Sequence, residues 1–562
     1  MIDLSKLLKS VEKPSRYTGG EYNSPAFKPA AALNYLLCFP DVYEVAMSNL
    51  GIKILQGVLN RRADTNCERC FAPWIDMGAL LKKEGVPLFS LETRRAAKEF
   101  DIMGFSLQYE LSYTNVLYML DLAGIPFLRK DRTKGNFPIL MAGGPCAVNP
   151  LPLEDIFDIF VIGDGEELID KLAALYIEAP SVFLKKAAEL QGVYVPSIHK
   201  QNGGRQKVKR AVIPDLNKAY FPTEILVPNI EAVHDRAVVE IFRGCGRGCR
   251  FCQAGYIYRP VRNRSVELCK SLAQETIAKT GFDEVTLSSL SSGDYPHLQQ
   301  LVKELQPMLK ESRVNLALPS QRLDSFESDL ELGAKKSGGL TFAPEAGTQR
   351  LRDVIRKNIT DAHIDGAVTA AYRAGFSTIK LYFMLGLPTE TDADIQGIAE
   401  TCRRIKRLYG ANAGVKRRLN LSVSCSVFIP KPFTPFQWEG QIAPDEARRR
   451  QQFLKDELRK IGVSFHYHDM AVSRLEAAFS RGDERLNRVL IKAYEGGCKF
   501  DGWTELFMYE NWLKAFENAG VEIEDFLKAA NPAEPLPWEF IDIGVSRDLL
   551  LREKEQAYSI NV

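Results

Sequence analysis

Apolar positions along the chain come in short runs, broken by polar or glycine-rich turns, and the runs alternate in period. Leu33-Asn-Tyr-Leu-Leu-Cys-Phe39 is compact, stops at Pro40-Asp41, and predicts a buried strand. After it, Leu50, Ile54, Leu55 and Leu59 recur at i, i+4, i+5, the spacing of one apolar helical face. The alternation repeats. Asp101-Ile-Met-Gly-Phe-Ser-Leu107, Phe137-Pro-Ile-Leu-Met-Ala142 and Phe157-Asp-Ile-Phe-Val-Ile-Gly163 read as strands, each followed by a turn and a helical run. Short apolar strands between amphipathic helices predict an α/β domain with a doubly wound parallel sheet over residues 26–175, after an N-terminal segment 1–25. Ligands of such sheets sit beyond the carboxyl ends of the strands. Here those ends are Pro40-Asp41-Val-Tyr43, Gly143-Gly144-Pro145 and Gly163-Asp164-Gly165-Glu166.

Residues 176–232 read as a connector. Gln201-Asn-Gly-Gly-Arg-Gln206, between Gly192-Val-Tyr-Val-Pro196 and Val208-Lys-Arg-Ala-Val212, predicts a hairpin with a glycine turn. Pro214, Pro222 and Pro228 then carry the chain on in extended form, because proline resists both helix and central strand. From 233 to 440 strand-like runs recur at barrel spacing: Ala237-Val-Val-Glu-Ile-Phe242, Glu284-Val-Thr-Leu-Ser-Ser289, Val314-Asn-Leu-Ala-Leu318, Gly339-Leu-Thr-Phe-Ala343, Thr378-Ile-Lys-Leu-Tyr-Phe383 and Leu419-Asn-Leu-Ser-Val-Ser424. All but the last are followed by a helical stretch. Six units predict a partial (β/α)6 barrel with its active site at the C-terminal ends of the strands. Residues 441–562 read as a mainly helical extension, judged by Asp445 to Ile461 and Ser473 to Tyr494.

The chemistry enters at Cys245-Gly-Arg-Gly-Cys249-Arg-Phe-Cys252, just after the first barrel strand. Three thiols in a C-x3-C-x2-C loop are metal ligands by type. A cubane iron–sulfur cluster normally takes four thiolates, so three leave one iron open to a substrate or cofactor. A zinc loop without its fourth ligand, or plain buried thiols, is the other reading of these residues. The spacing, its place after a strand and the aromatic Phe251 resemble the radical S-adenosylmethionine (SAM) enzymes. That resemblance implies a [4Fe–4S] cluster on Cys245, Cys249 and Cys252, with the amine and carboxylate of SAM on the open iron. It also implies reductive cleavage of SAM to a 5′-deoxyadenosyl radical, and an electron donor such as flavodoxin or ferredoxin.

The same resemblance suggests SAM contacts at the strand ends. Ser291, Ser292, Gly293 and Asp294 resemble the glycine-rich loop that receives the methionine amine. Glu345 in Ala343-Pro-Glu-Ala-Gly347 resembles a carboxylate that bonds the ribose or amine. Gly386 and Pro388 in Met384-Leu-Gly-Leu-Pro-Thr-Glu390 resemble the region bordering adenine, where Phe251 would also pack. Singly, such features are ordinary turns and solvated carboxylates. Phe428-Ile-Pro-Lys-Pro-Phe-Thr-Pro-Phe-Gln-Trp438 ends the sixth strand as a stiff apolar segment, either a wall of the site or a packed junction.

The front domain resembles the cobalamin-binding-like domain of many radical SAM proteins through Gly143-Gly-Pro-Cys-Ala-Val-Asn149 and Gly163-Asp-Gly-Glu-Glu167. It departs in lacking D-x-H-x-x-G, and no histidine precedes His199. Cobalamin therefore stays open, beside a scaffold or a site for another flat or phosphorylated ligand. The layout also resembles the methylthiotransferases, which would need a second cluster from Cys38, Cys67, Cys70 or Cys146. No second C-x-x-C follows in this domain, and buried or surface thiols suit these four better. The tail, with Leu536-Pro-Trp538-Glu-Phe-Ile-Asp542, resembles one branch of cobalamin-type radical SAM proteins.

Bulk properties narrow the partners. The 562 residues are 45% hydrophobic and 26% charged, ordinary for globular protein of roughly three domains. A net charge of +2 argues against a bulk polyanion, so nucleic acid is neither indicated nor excluded. The basic runs Arg403–Arg407 and Lys416–Arg418 read as a helix and a solvated loop, and His466 and His468 as surface or packing residues. Eleven cysteines in so long a chain do not form a disulfide framework. Met1 to Lys9 is too short and charged for a signal peptide, and no apolar run spans a membrane. A reducing, cytoplasmic setting is expected. Three functions remain: radical SAM chemistry with cobalamin-dependent methyl transfer, other radical chemistry including sulfur insertion, or a non-catalytic iron–sulfur sensor or binding protein. The substrate is not named by any of these residues.

Overall fold

The strand Leu33–Phe39 (β1) organises the front of the molecule. Alternate residues feed two cores: Leu36 and Cys38 enter one, Tyr35, Leu37 and Phe39 the other. Burial on both faces is what its nearly continuous apolar run reflects. Around it lie β2 (Thr65–Phe71), β3 (Ile102–Ser106), β4 (Ile139–Gly143), β5 (Ile159–Val161) and β6 (Val193–Tyr194), in the order β2-β1-β3-β4-β5-β6. Every pair is parallel except β5 with β6. The order reverses between β1 and β3, the switch point at which such sheets hold ligands. Helices Leu50–Asn60 and Glu166–Glu178 cover one face, and Tyr113–Ala123 with C-terminal helices the other. The structure is a computed structural model that describes residues 2–201, 204–318, 322–326, 339–411 and 419–560.

Strand β2 does not show in the hydrophobic pattern. Its sequence is polar, yet all seven residues are buried, with Arg69 ion-paired inside and Glu68 accepting from the Thr93 hydroxyl at 2.7 Å. Arg69 bonds Glu21 at 2.7 Å and Glu92 at 2.6 Å. Cys67 and Cys70, three apart on a strand, point to opposite faces and sit in different cores. They do not share a site.

Among the described residues of the connector, Lys200–Gln201 (β7) pairs antiparallel with Gly204–Arg205 (β8), and Asn202 and Gly203 of the expected turn lie outside the described residues. The flanking run at Val193 joins β5 instead. Val208–Lys209 (β9) pairs with Ile541–Asp542 near the C-terminus, binding the tail to the connector.

The barrel strands follow as Ala237–Glu240 (β10), Phe242–Arg243 (β11), Arg262–Asn263 (β12), Glu284–Ser288 (β13), Asn315–Ala317 (β14), Leu340–Glu345 (β15), Thr378–Leu385 (β16) and Asn420–Val427 (β17). The six expected strands are β10, β13, β14, β15, β16 and β17. They form two parallel sheets, β10-β13-β14 and β15-β16-β17, and a seventh strand, Ser464–Tyr467 (β18), extends the second. The chain is thus an α/β protein with a doubly wound front sheet, parallel barrel sheets and a largely helical tail. The basic run 403–407 lies on the helix Asp392–Ala411, with Arg403 paired to Glu457 and Arg404 to Asp365. The run Lys416–Arg418 lies outside the described residues. His466 and His468 are exposed. No helix among the described residues is long and apolar enough to cross a membrane.

Candidate functional site

The cysteine loop leaves β11 through Gly244, whose φ is +93° and where an ideal Cβ would lie 2.6 Å from the Pro260 carbonyl oxygen and 2.7 Å from that of Tyr258, so no side chain is admitted. The loop turns again at Gly248 with φ +73°. The Cys252 amide then donates to the Cys249 carbonyl at 3.1 Å before the short helix Ala254–Ile257. Cys249 is buried, and Cys245 and Cys252 are half-buried. Burial pushes the Cys252 thiol up to about 11. Burial also raises Cys249, while Lys357 and Arg322 pull the other way. Among the described residues no three His, Cys, Asp or Glu side chains converge on one point as ligands of a single ion. Cys245 and Cys249 both act electrostatically on Cys252, so the three thiols lie near one another.

Arginines within and beside the motif fix this loop. Arg247 donates to Asp294 at 2.8 Å and to Asp324 at 2.9 Å. Arg250, 4% exposed, donates to Glu553 at 3.1 Å and to the Val354 carbonyl at 2.8 Å. Glu553 also takes Arg356, and it lies on the C-terminal helix Arg547–Ser559. Arg243, next to Gly244, reaches Asp164 at 3.0 Å, Glu166 at 2.6 Å and Glu240 at 2.8 Å, which joins the loop to the front sheet.

The residues expected to contact SAM divide into two groups. Asp294 gives both carboxylate oxygens to Arg247, so its observed contact is with the cysteine loop. Ser292 is fully buried, and its hydroxyl donates to the Leu287 carbonyl at 3.2 Å. The Ser291 hydroxyl, 3% exposed, lies near Asp294 without a well-formed hydrogen bond, and Ser325, which faces Gly293 at 2.3 Å from an ideal Cβ, has no partner. These orphan hydroxyls beside the loop are what a polar ligand would satisfy. Glu345 ends β15 with φ +69° at a break in register and pairs with Lys357 at 3.1 Å. Both groups act electrostatically on Cys249. Phe251 packs against an apolar cluster that includes Met384 and Leu387, which flank Gly386 in the turn with Pro388. That turn closes on itself: the Gly386 amide donates to Glu390 at 2.7 Å and Arg450 bonds the same carboxylate at 2.6 Å. Burial still lifts Glu390 to about 7. Phe433, Phe436 and Trp438 of the proline-rich segment are buried, so it is a packed junction, touching the loop through Gln253 and the Pro432 carbonyl at 3.3 Å.

Arg247, Arg322, Ser325, Lys357 and Glu553 are additions from the structure. Arg247 stood inside the motif with a charge to place. Glu553 had no local signal, lying 303 residues from Arg250.

A half-open cavity of about 400 Å³ lies at the front switch point. Tyr35, Gly104 and Met141 of the strands form its floor, and Gly143 and Gly165 of the expected ligand loops its rim. Its far wall belongs to the barrel: Gly244, Tyr258 and Ser288–Leu290. Among the described residues lining it there is neither His nor Cys. Cys146 sits apart, beside Tyr113.

The chain matches the model for the N-terminal region of radical SAM proteins over residues 51–196, and that for the radical SAM superfamily over 239–402. It is 29% identical over 494 residues to the uncharacterized protein MJ0966 of Methanocaldococcus jannaschii, covering 87% of this chain and 97% of that one. Among solved structures it resembles the radical S-adenosylmethionine methyltransferase TsrM of Kitasatospora setae, solved with cobalamin and a [4Fe-4S] cluster. The TM-score is 0.51 and the identity 14%, over 72% of this chain and 76% of that one. The cobalamin-dependent radical enzyme OxsB gives a TM-score of 0.47 at 12% identity, over 94% of this chain and 79% of that one.

Proposed function

The chain belongs to the radical SAM superfamily, and from that premise we propose that it is a SAM-cleaving enzyme whose front cavity holds a corrinoid for methyl transfer. One observation carries the second half of this reading: the cavity at the front switch point has the cysteine-loop strand and the end of β13 as its far wall. A group held by the front sheet would therefore face the loop of Cys245, Cys249 and Cys252.

Cys245, Cys249 and Cys252 would hold the cluster, which would supply the electron for reductive cleavage of SAM into methionine and a 5′-deoxyadenosyl group, with an external donor such as flavodoxin or ferredoxin replacing it. The chain's own residues bind and orient. Arg247, locked by Asp294 and Asp324, fixes the loop. Ser291 and Ser325 offer unpaired hydroxyls, and Glu345, held by Lys357, offers a carboxylate to the amine or ribose. Phe251 with Met384 and Leu387 gives the adenine an apolar surface. The half-open cavity of about 400 Å³ would take part of a corrinoid, and its lining holds no imidazole. A corrinoid bound there would supply a transferable methyl group.

Iron, cobalt and zinc content of protein purified without oxygen from cells given cobalamin tests both halves. About four irons with about one cobalt per chain, and 5′-deoxyadenosine on adding SAM and reductant, is the expected result. Iron without cobalt removes methyl transfer and leaves radical chemistry with the front domain as scaffold. Iron without deoxyadenosine points to a sensor, and zinc in place of iron overturns the whole reading.

A further inference from the structure

A second hollow, far from the cysteine loop in sequence, lies in the tail. It is a cleft of about 340 Å³ between the end of the helix Met470–Arg481 and the segment 525–538. Arg481 lines it and is only 6% exposed. One guanidinium nitrogen, Nη2, donates to the Lys528 carbonyl at 3.1 Å. The other two, Nε and Nη1, have no partner. A buried guanidinium normally meets a carboxylate, since burying an unpaired charge costs several kcal/mol.

Two of the three carboxylates lining the cleft are engaged by cations, and the third, Glu534, accepts from the Asn531 amide at 3.2 Å and does not bond Arg481. Asp483 and Asp525 are bonded by Arg485 at 3.0 Å each, and Asp525 also takes Lys528 at 3.0 Å. Glu439, whose field reaches Arg481, is held by Lys554 and Tyr558. The partial charge at the helix C-terminus favours a cation there but fills neither free nitrogen. The backbone on both sides is fixed: Asn149 of the front domain donates to the carbonyls of Ser480 at 3.0 Å and Gly482 at 2.9 Å. Arg481 is therefore held in place with part of its donor set unused. Beside it the cleft is apolar, with Phe526, Leu536 and Trp538.

We propose that this cleft binds a small organic anion, a carboxylate or phosphate on an apolar body, with the Arg481 guanidinium as its counter-ion. The volume accommodates a compact ligand of that kind, and a guanidinium recognises both oxyanions through charge-assisted bonds. The site is independent of the radical chemistry proposed above.

The test is thermal unfolding of the full-length, oxygen-free protein in Tris chloride, titrated with sodium benzoate, phenyl phosphate or neutral benzamide. A saturable rise in Tm with benzoate or phenyl phosphate and none with benzamide is expected, and whichever anion acts identifies the class. Arg481→Gln should abolish the rise while being no less stable than wild type without ligand, since it removes an unpaired buried charge. Arg481→Lys should keep the rise at several-fold weaker affinity. The proposal is overturned by the absence of a saturable shift, by a shift unchanged in Arg481→Gln, or by a marked fall in the Tm of that variant without any anion.

Discussion

Asp294 bears on two competing demands at the site. Its position after β13 suits a contact with the amine of SAM, yet both of its oxygens are taken by Arg247 of the cysteine loop. The two roles separate experimentally. If Asp294 only positions the loop, Asp294→Ala frees Arg247, and the variant should lose iron to a chelator several-fold faster than wild type. Its SAM affinity, measured on protein that still holds iron, should stay near wild type. Unchanged iron retention with a tenfold or greater loss of SAM affinity would instead make Asp294 a direct contact. Cys249 is the most buried of the three thiols and admits no such division. Cys249→Ala should leave the fold intact, because the loop is also held by Arg243, Arg247 and Arg250, while iron content and deoxyadenosine formation are lost together.

Elements far apart in sequence hold the site, and each junction has a charge whose removal can be measured. The C-terminal helix docks through Glu553 onto Arg250 and Arg356. Glu553→Ala leaves the buried Arg250 with carbonyl partners only, at an expected loss of about 3 kcal/mol. A lowered Tm together with faster loss of iron would show that the helix supports the cluster loop, and a lowered Tm alone would not. The junction of Tyr113–Ala123 with the tail depends on Asp501, which is 1% exposed and accepts from Thr114 Oγ1 at 2.6 Å and Trp512 Nε1 at 2.8 Å. Burial pushes this carboxyl up to about 6 from 3.8, because the two bonds from neutral donors do not offset desolvation. The folded protein thus binds the proton more tightly than the unfolded chain. That stabilisation is full below pH 3.8 and is lost as pH rises through about 6. Asp501→Asn keeps a neutral, bonded side chain at every pH. Above pH 7 it should exceed wild type by up to about 2–3 kcal/mol, and the difference should close on acidification towards pH 4. Chemical denaturation of both proteins across that range decides it; a difference that grows on acidification would refute the assigned direction.

At the scale of the molecule, what was legible in the sequence is what is encoded locally. Strand β1 runs over Leu33–Phe39 as its apolar run indicates, and the spacing of Cys245, Cys249 and Cys252 carries the resemblance to the radical SAM family. Strand β2 was illegible because Glu68 and Arg69 find partners at Thr93, Glu21 and Glu92, which no window around them contains. The same holds for Val208, which pairs with Ile541, and for Glu553. Ser291 and Ser292 differ only in which hydroxyl finds an internal acceptor, a matter of orientation that composition does not record. The cavity between the two halves is also a product of assembly, and its glycines show how to test it. Gly144 (φ +99°) and Gly163 (φ +106°) have backbone oxygens at 2.5 Å and 2.1 Å from an ideal Cβ, so side chains there would break the turns. Gly143 differs: its nearest neighbours are the Val161 carbonyl at 3.6 Å and Cβ at 3.7 Å, ordinary contact. It lies two residues after Met141 on β4, hence on the same face, and both line the cavity. Gly143→Leu should therefore fold with a change in stability within about 1 kcal/mol and place four carbons in the space proposed for the corrinoid. Cobalt per chain should fall several-fold while iron content and deoxyadenosine formation, both properties of the barrel, stay at wild-type levels. Cobalt retained in full would place any corrinoid elsewhere than this cavity, and joint loss of iron and cobalt would show that the front domain and the cysteine loop fold as one unit.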